Sequence, residues 1–175
     1  SYVANQAMAF AKLGVTNASY AQAFDIATNV IGMSNVEAAA QMRSLQSVAD
    51  STGLTLSKVV SDFVTNAPDL SRYGDRASDS FAKLQANASA TGVGVGKLSK
   101  AMIGLAGFDE ANKAAQMFNS VFARTGVVMS TTSVMLAKPG EKLDYMIGKF
   151  RELNLDLSDS GVQYQIDAIA SSIDG

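Results

Sequence analysis

The stretch ATGVGVGKLSK, residues 90–100, has the residue types of a loop that cradles a phosphate. Its three glycines alternate with small residues and lead into Lys97. A P-loop has the pattern GxxxxGK[ST], in which the glycines let the backbone approach the phosphates and the hydroxyl binds magnesium. Here Thr91 stands at the position of the first glycine and Leu98 at that of the hydroxyl. The pattern therefore argues against nucleotide binding, and we predict no cofactor.

Catalytic side chains are scarce in this chain, which contains no Cys and no His. It therefore lacks thiolate nucleophiles, the commonest general base and the commonest zinc ligands. Carboxylates remain, and two that face one cleft could cleave a glycosidic bond. The four glutamates are Glu37, Glu110, Glu141 and Glu152. Each lies where a helix is expected to begin or end, so we interpret them as capping or surface residues and predict no catalytic or metal site.

Charge and hydropathy restrict the classes of partner. The 175 residues carry a net charge of −2, and the charges of both signs are spread along the chain. Without a basic face we predict no sequence-specific nucleic-acid binding. The longest uncharged runs, such as the 13 residues from Thr125 to Ala137, are shorter than the roughly 20 apolar residues of a membrane-spanning helix. We expect no membrane span, and interpret the chain as a piece of a longer polypeptide.

Apolar residues recur at steps of three and four, the spacing that places them on one face of a helix. One such stripe consists of Phe108, Ala111, Ala115, Phe118 and Phe122. Two others consist of Leu143, Ile147, Phe150 and Leu153, and of Val162, Ile166, Ile169 and Ile173. Strand-like alternation is almost absent. We predict an all-α fold of roughly eight to ten short helices, arranged as a compact helical bundle or an irregular helical array.

The joints between the predicted helices share a pattern of glycine, one apolar residue and then, in most cases, Ser or Thr. It occurs in LGVT, IGMS, TGLT, TGVG and TGVVMS, at Gly14, Gly32, Gly53, Gly92 and Gly126, with Asn154 as a variant. Glycine, and less readily asparagine, accepts the left-handed conformation just past a helix end. The hydroxyl then caps the next helix. We predict that these six residues are structural helix joints.

An internal similarity links two of these joints. Residues 45–63 align without gaps on residues 84–102, an offset of 39. The identical pairs are Leu45/Leu84, Gln46/Gln85, Ala49/Ala88, Thr52/Thr91, Gly53/Gly92 and Lys58/Lys97. The similarity indicates either stacked helical repeats or repeated use of one helix–Gly–helix design. We therefore predict a region 1–106 that contains the similarity and a region 107–175 with a long amphipathic helix, either as two regions or as one continuous domain.

Most of the chain resembles phage tail tape-measure proteins. The resemblance is carried by KLSKAMIGLAGFDEANKAAQMFNSVF (97–122), TGVVMSTTSVMLAKPGEKLDYMIGKF (125–150) and VQYQIDAIASSI (162–173). The segment FAKLGVTNASYAQAFDIATNVIGMSNVEAAAQM (10–42) has the same succession of helix, glycine turn and helix. The family is recognised by this texture more than by invariant residues.

The resemblance implies a structural protein of the virion, made in the host cytoplasm, that sets tail length and leaves the tail tube as DNA is delivered. It implies contacts with tail-tube, tail-tip or baseplate proteins and self-association. Because the chain is divided into short helices, it could be a globular end region instead of the extended ruler. Two alternatives stay open: a helical-repeat scaffold that binds proteins, and a cell-wall-cleaving enzyme segment.

Overall fold

Most of the described chain is helical. The computed structural model describes residues 1–138, 141–157 and 159–173. Within these ranges the chain forms ten α-helices and no β-strand, which confirms the predicted all-α class. The helices are α1 (Tyr2–Lys12), α2 (Asn17–Asn29), α3 (Asn35–Thr52), α4 (Leu56–Leu70), α5 (Ala77–Thr91), α6 (Val95–Gly104), α7 (Phe108–Phe122), α8 (Thr131–Leu136), α9 (Lys142–Glu152) and α10 (Ser160–Ile173). Two 3₁₀ segments, Ser71–Arg76 and Ala123–Thr125, follow α4 and α7.

The start of α3 shows how local sequence determines a helix boundary. The Ser34 hydroxyl accepts a hydrogen bond from the Glu37 backbone N–H at 3.2 Å. The Glu37 carboxylate in return accepts one from the Ser34 backbone N–H at 2.7 Å. This reciprocal pair is a capping box, and it satisfies two donors that the first turn of a helix leaves without partners. The hydrogen bond from the Ser34 backbone also holds the pKa of Glu37 below its ordinary value.

The chain divides into two compact units, residues 1–85 and 86–175. The division falls within α5, earlier than the predicted boundary between 106 and 107. The physical reason is that α6 packs against α9 and α10, so that it belongs to the second unit. Nor does the second unit contain an unusually long helix: α7 has 15 residues, as do α4 and α5, whereas α3 has 18.

In the first unit, α2 lies against α1, α3 and α4, and α3 also packs on α4. Its largest fully buried side chains are Phe10, Met42, Leu45, Phe63, Leu70, Phe81 and Leu84. The rings of Phe63 and Phe81 meet edge to face with their centroids 5.5 Å apart, an arrangement that aromatic pairs prefer. Burial of this set drives the folding of the unit, because apolar area removed from water is the main favourable term.

A buried polar bridge joins three helices of the first unit. The Tyr20 hydroxyl of α2 donates to Oε1 of Gln6 in α1 at 2.5 Å. Nε2 of Gln6 donates in turn to the backbone carbonyl of Ala39 in α3 at 3.0 Å. Because hydrogen bonds are directional, this chain fixes the positions of α1, α2 and α3 more exactly than apolar contact alone.

In the second unit, α10 packs on α6 and α7. Its predicted stripe is buried throughout, at Val162, Ile166, Ile169 and Ile173. The stripe predicted for α7 is buried at Ala111, Ala115 and Phe118, but Phe108 is 60% exposed. A helical side chain covers the turn that precedes its own Cα, and Phe108, as the first residue of α7, has no preceding turn to cover.

A buried lysine ties α8 to α9. The Lys142 side chain donates to the carbonyl oxygens of Val134 at 2.9 Å and Met135 at 3.0 Å, near the end of α8. Cations are favourable at the carbonyl end of a helix, and this one satisfies two acceptors that the helix leaves open. Burial lowers the pKa of Lys142. Pro139 and Gly140, which precede α9, lie outside the described residues.

The polar bridge of the first unit predicts a specific loss. We expect Tyr20→Phe to lower the free energy of unfolding by about 1–2 kcal/mol, because Gln6 then keeps a buried oxygen without its donor. The matched control is Tyr164→Phe, which removes the hydroxyl of a tyrosine that is 75% exposed and should change stability little. Urea unfolding followed by circular dichroism measures both variants. Equal effects of the two substitutions would contradict a structural role for the bridge.

Candidate functional site

The six predicted joint residues all lie shortly after helix ends and all have positive φ angles. These are 89° at Gly14, 87° at Gly32, 72° at Gly53, 71° at Gly92, 78° at Gly126 and 54° at Asn154. The one described non-glycine residue with positive φ is Asn154, and asparagine is the residue other than glycine that enters this conformation most readily. Each of the six joints therefore reverses the handedness of the backbone for one residue.

Four of the joints have nearly the same geometry. The second residue after each glycine is the N-cap of the next helix: Thr16, Ser34, Thr55 and Gly94. Their φ angles lie between −67° and −62° and their ψ angles between 143° and 165°. At the first three, the side-chain hydroxyl accepts a backbone N–H of the first turn. The chain therefore uses one such turn repeatedly, and α1 and α2, α2 and α3, and α3 and α4, which it joins, pack against each other.

The stretch ATGVGVGKLSK is one of these joints. Gly92 ends α5 in the left-handed conformation, and Gly94 takes the N-cap position that Thr55 has in the earlier copy. Both copies are also buried at equivalent positions, the pairs being Leu45/Leu84, Leu56/Val95, Val59/Leu98 and Phe63/Met102. The two copies thus share backbone conformation and burial around the joint as well as sequence.

Lys97 of this stretch belongs to the packing of the second unit. Lys97 Nζ lies 2.7 Å from Oδ1 of Asp167 in α10. The Gln163 side chain, also in α10, lies where a Cβ on Gly92 would stand, with Nε2 only 2.9 Å from that position. The loop is therefore covered by α10, and its lysine is paired there.

The four glutamates lie at helix ends. Glu37 forms the capping box of α3, and Glu110 is in the first turn of α7. Glu141 is the N-cap residue of α9, and Glu152, the last residue of that helix, pairs with Lys149 at 3.2 Å. No group of three or more Asp or Glu residues in the described ranges is placed to hold a metal ion. Nor does any described helix have the length and apolar character that a bilayer span requires.

A cavity of about 420 Å³ lies in the first unit, beside the joint between α2 and α3. Ile31 and Met33 of that joint line it, together with Gln41 of α3. Asp75 lines it from the 3₁₀ segment that follows α4. We call this space the Gln41 cavity. It combines an apolar wall with carboxylate and amide groups, the composition typical of small binding sites.

Two residues of this cavity were missed by sequence reasoning. Gly74 turns the 3₁₀ segment with a φ of 53° and a ψ of −120°, within SRYGDR, which reads as a solvated patch of mixed charge. Gln41 is 2% exposed, and neither polar atom of its side chain has a hydrogen-bond partner. One signal was present: Gln41 stands between Ala38 and Leu45 on the apolar stripe of α3, where a polar residue is unexpected.

Substitutions of Gly53 test whether a joint requires a residue that accepts positive φ. A Cβ added there meets no heavy atom within 4 Å, so the cost of a side chain comes from its positive φ alone. We expect Gly53→Val to destabilise the protein by about 1–2 kcal/mol, because a β-branched residue resists the left-handed conformation. Gly53→Asn is the matched control and should lose clearly less. Urea unfolding measures the stability of both variants. Equal stabilities of Gly53→Val and wild type would contradict the role of Gly53 as a helix joint.

A substitution at Gly94 is expected to have the opposite effect and to stabilise the protein. Its φ of −62° and ψ of 143° suit any L-residue, and a Cβ there meets open space. We expect Gly94→Ser to raise the free energy of unfolding by about 0.5–1 kcal/mol, because serine caps the helix and restricts the unfolded chain. Gly92→Ser, two residues earlier, should be destabilising, since it combines positive φ with the contact to Gln163. Thermal unfolding measures the stability of both variants. A loss of stability in Gly94→Ser would contradict the assignment of Gly94 as the N-cap residue of α6.

Comparison with known proteins identifies no relative: no protein-family model, no curated protein and no solved structure matches this chain.

Proposed function

We propose that this chain is a structural segment of a phage tail tape-measure protein. The observation that carries the proposal is the resemblance of residues 97–159 to that family, a succession of short helices separated by glycine turns. This stretch contains most of α6 and all of α7, α8 and α9, with the joint at Gly126 between α7 and α8. The helical texture on which the resemblance depends therefore corresponds to real helices and turns.

The packing supports a globular region more than an extended ruler. As a single helix, 175 residues would be roughly 260 Å long. The chain instead forms two units, each with its own buried side chains, among them Phe63 in the first and Phe118 in the second. We propose that the segment binds tail-tip or baseplate proteins, or the end of the tail tube, and other copies of itself.

The repeated joint favours a second candidate, a helical-repeat scaffold that binds proteins. The φ angles of 72° at Gly53 and 71° at Gly92, and the burial around them, agree between the copies. Stacked repeats need equivalent helix pairs that share one continuous core. Residues 45–63 belong to the first unit, whereas residues 86–102 belong to the second, so we rank this candidate below the tail protein. If the chain is such a scaffold, the purified protein should bind a partner protein in the absence of virion components.

Virion composition tests the tail proposal. Mass spectrometry of purified phage particles should find peptides of this chain at a few copies per tail. Tailless heads from the same lysate are the control and should lack them. Absence of the chain from tailed particles would rule the proposal out.

Tail length then separates a globular end from a ruler. Deletion of these residues from the full protein should leave any assembled tails at their normal length if the segment is a globular end. If the segment is part of the ruler, its deletion should shorten the tail by about 1.5 Å for each residue removed.

A further inference from the structure

We propose that the Gln41 cavity binds a peptide segment that presents a positively charged side chain. The inference does not depend on the tail proposal, since it rests on the polar groups around this cavity and on its apolar wall. The occupant would be a segment of another protein.

The first observation is the unpartnered amide of Gln41. Its Nε2 and Oε1 atoms are both shielded from water and both lack a hydrogen-bond partner, although the residue is only 2% exposed. Each unsatisfied buried polar group costs about 1–3 kcal/mol, so glutamine is an unfavourable residue here for stability alone. Nearby, Gln6 is also buried, yet both its polar atoms have partners in Tyr20 and Ala39. In the described chain the Ser80 hydroxyl and Oε1 of Gln85 also lack partners, but Gln41 is the residue in which both side-chain polar atoms do, and a ligand would explain this.

The chemistry of the missing partner follows from the amide itself. A carboxamide donates through nitrogen and accepts through oxygen in one plane. An extended peptide residue can satisfy both atoms at once, because its own N–H and C=O point to the same side of the backbone. We expect the Gln41 side chain to turn towards a ligand that enters the cavity. Its side-chain amide signal is therefore the one that should report binding.

The charge of the occupant follows from the cavity's carboxylates. Glu37 and Asp75 both line it, and no lysine or arginine of the described chain does. Glu37 is held in its negative form by the Ser34 backbone. A cation beside these carboxylates would form charge-assisted hydrogen bonds.

The apolar wall fits the stem of a long cationic side chain. Ile31 and Met33 approach from the α2–α3 joint, and Ala40 from α3. Lysine and arginine bury their methylene stems on such surfaces while their heads reach polar groups. At about 420 Å³ the cavity has the size of a site for one residue and its two peptide groups.

The binding test uses a blocked lysine, N-acetyl-lysine-N-methylamide, as the probe. Titrated into the ¹⁵N-labelled 175-residue chain, it should shift the NMR signals of the Gln41 side-chain amide and of the Gly32 and Gly74 backbone amides. N-acetyl-norleucine-N-methylamide lacks the charge and should bind about tenfold more weakly. Butylamine lacks the peptide groups and should leave the Gln41 signal unmoved. Absence of shifts with the lysine probe at tens of millimolar, or equal binding of the norleucine probe, overturns the proposal.

A variant tests the role of Gln41 itself. Gln41→Leu places an apolar side chain of comparable volume there and removes the unpartnered atoms, so it should fold with equal or higher stability yet lose binding of the lysine probe at least tenfold. Gln46→Leu, in the same helix but outside the cavity lining, is the matched control and should bind normally. Unchanged binding by Gln41→Leu overturns the assignment of Gln41. Loss of stability in that variant also counts against it, because it would show that the amide is needed by the fold.

Discussion

The rest of the structure depends on one backbone constraint: a residue with positive φ stands between most of the consecutive helices, although α6 and α7 are joined without one. An α-helix leaves its last carbonyl groups without intrahelical partners, and a left-handed residue lets the backbone turn back and satisfy some of them. At Gly53 this happens through a hydrogen bond from its N–H to the carbonyl of Ala49. Val15 and Val93, which directly follow Gly14 and Gly92, are buried. At four joints the residue two positions after the glycine is the N-cap of the new helix. Because these turns are short, the successive helices α1 to α4 that they join lie against each other.

Packing then decides between the arrangements that the joints allow. Apolar contact is not directional, so a set of short helices joined by similar turns could assemble in several ways. Directional interactions remove that freedom. In the first unit the bonds from Tyr20 through Gln6 to Ala39 connect three helices, and in the second Lys142 connects α8 to α9. These buried polar groups are satisfied, so they specify an arrangement without the large penalty of an unpaired group.

Local features of the structure could be predicted from sequence, and long-range ones could not. The all-α class and the buried stripe of α10 follow from spacing alone, since they depend on residues within a few turns of one another. The division within α5 could not be predicted, because it depends on α6 packing against α10, far along the chain. The exposure of Phe108 could not be predicted for a related reason. Periodicity shows on which face of the helix the residue lies, but not that the helix begins there. Gln41 shows the same limit, since its lack of partners is a property of three-dimensional contacts.

The joints also explain why this fold leaves so little trace in sequence. Glycine followed by any apolar residue and a capping residue satisfies the geometry, and even Gly94 without a side chain serves as a cap. Many sequences meet such a requirement, so the helical texture carries information about architecture and little about partners. Residues that depart from the pattern are therefore more informative about function than those that follow it. Gln41 is such a departure, because the stripe of α3 calls for an apolar residue and the amide there finds no partner within the fold.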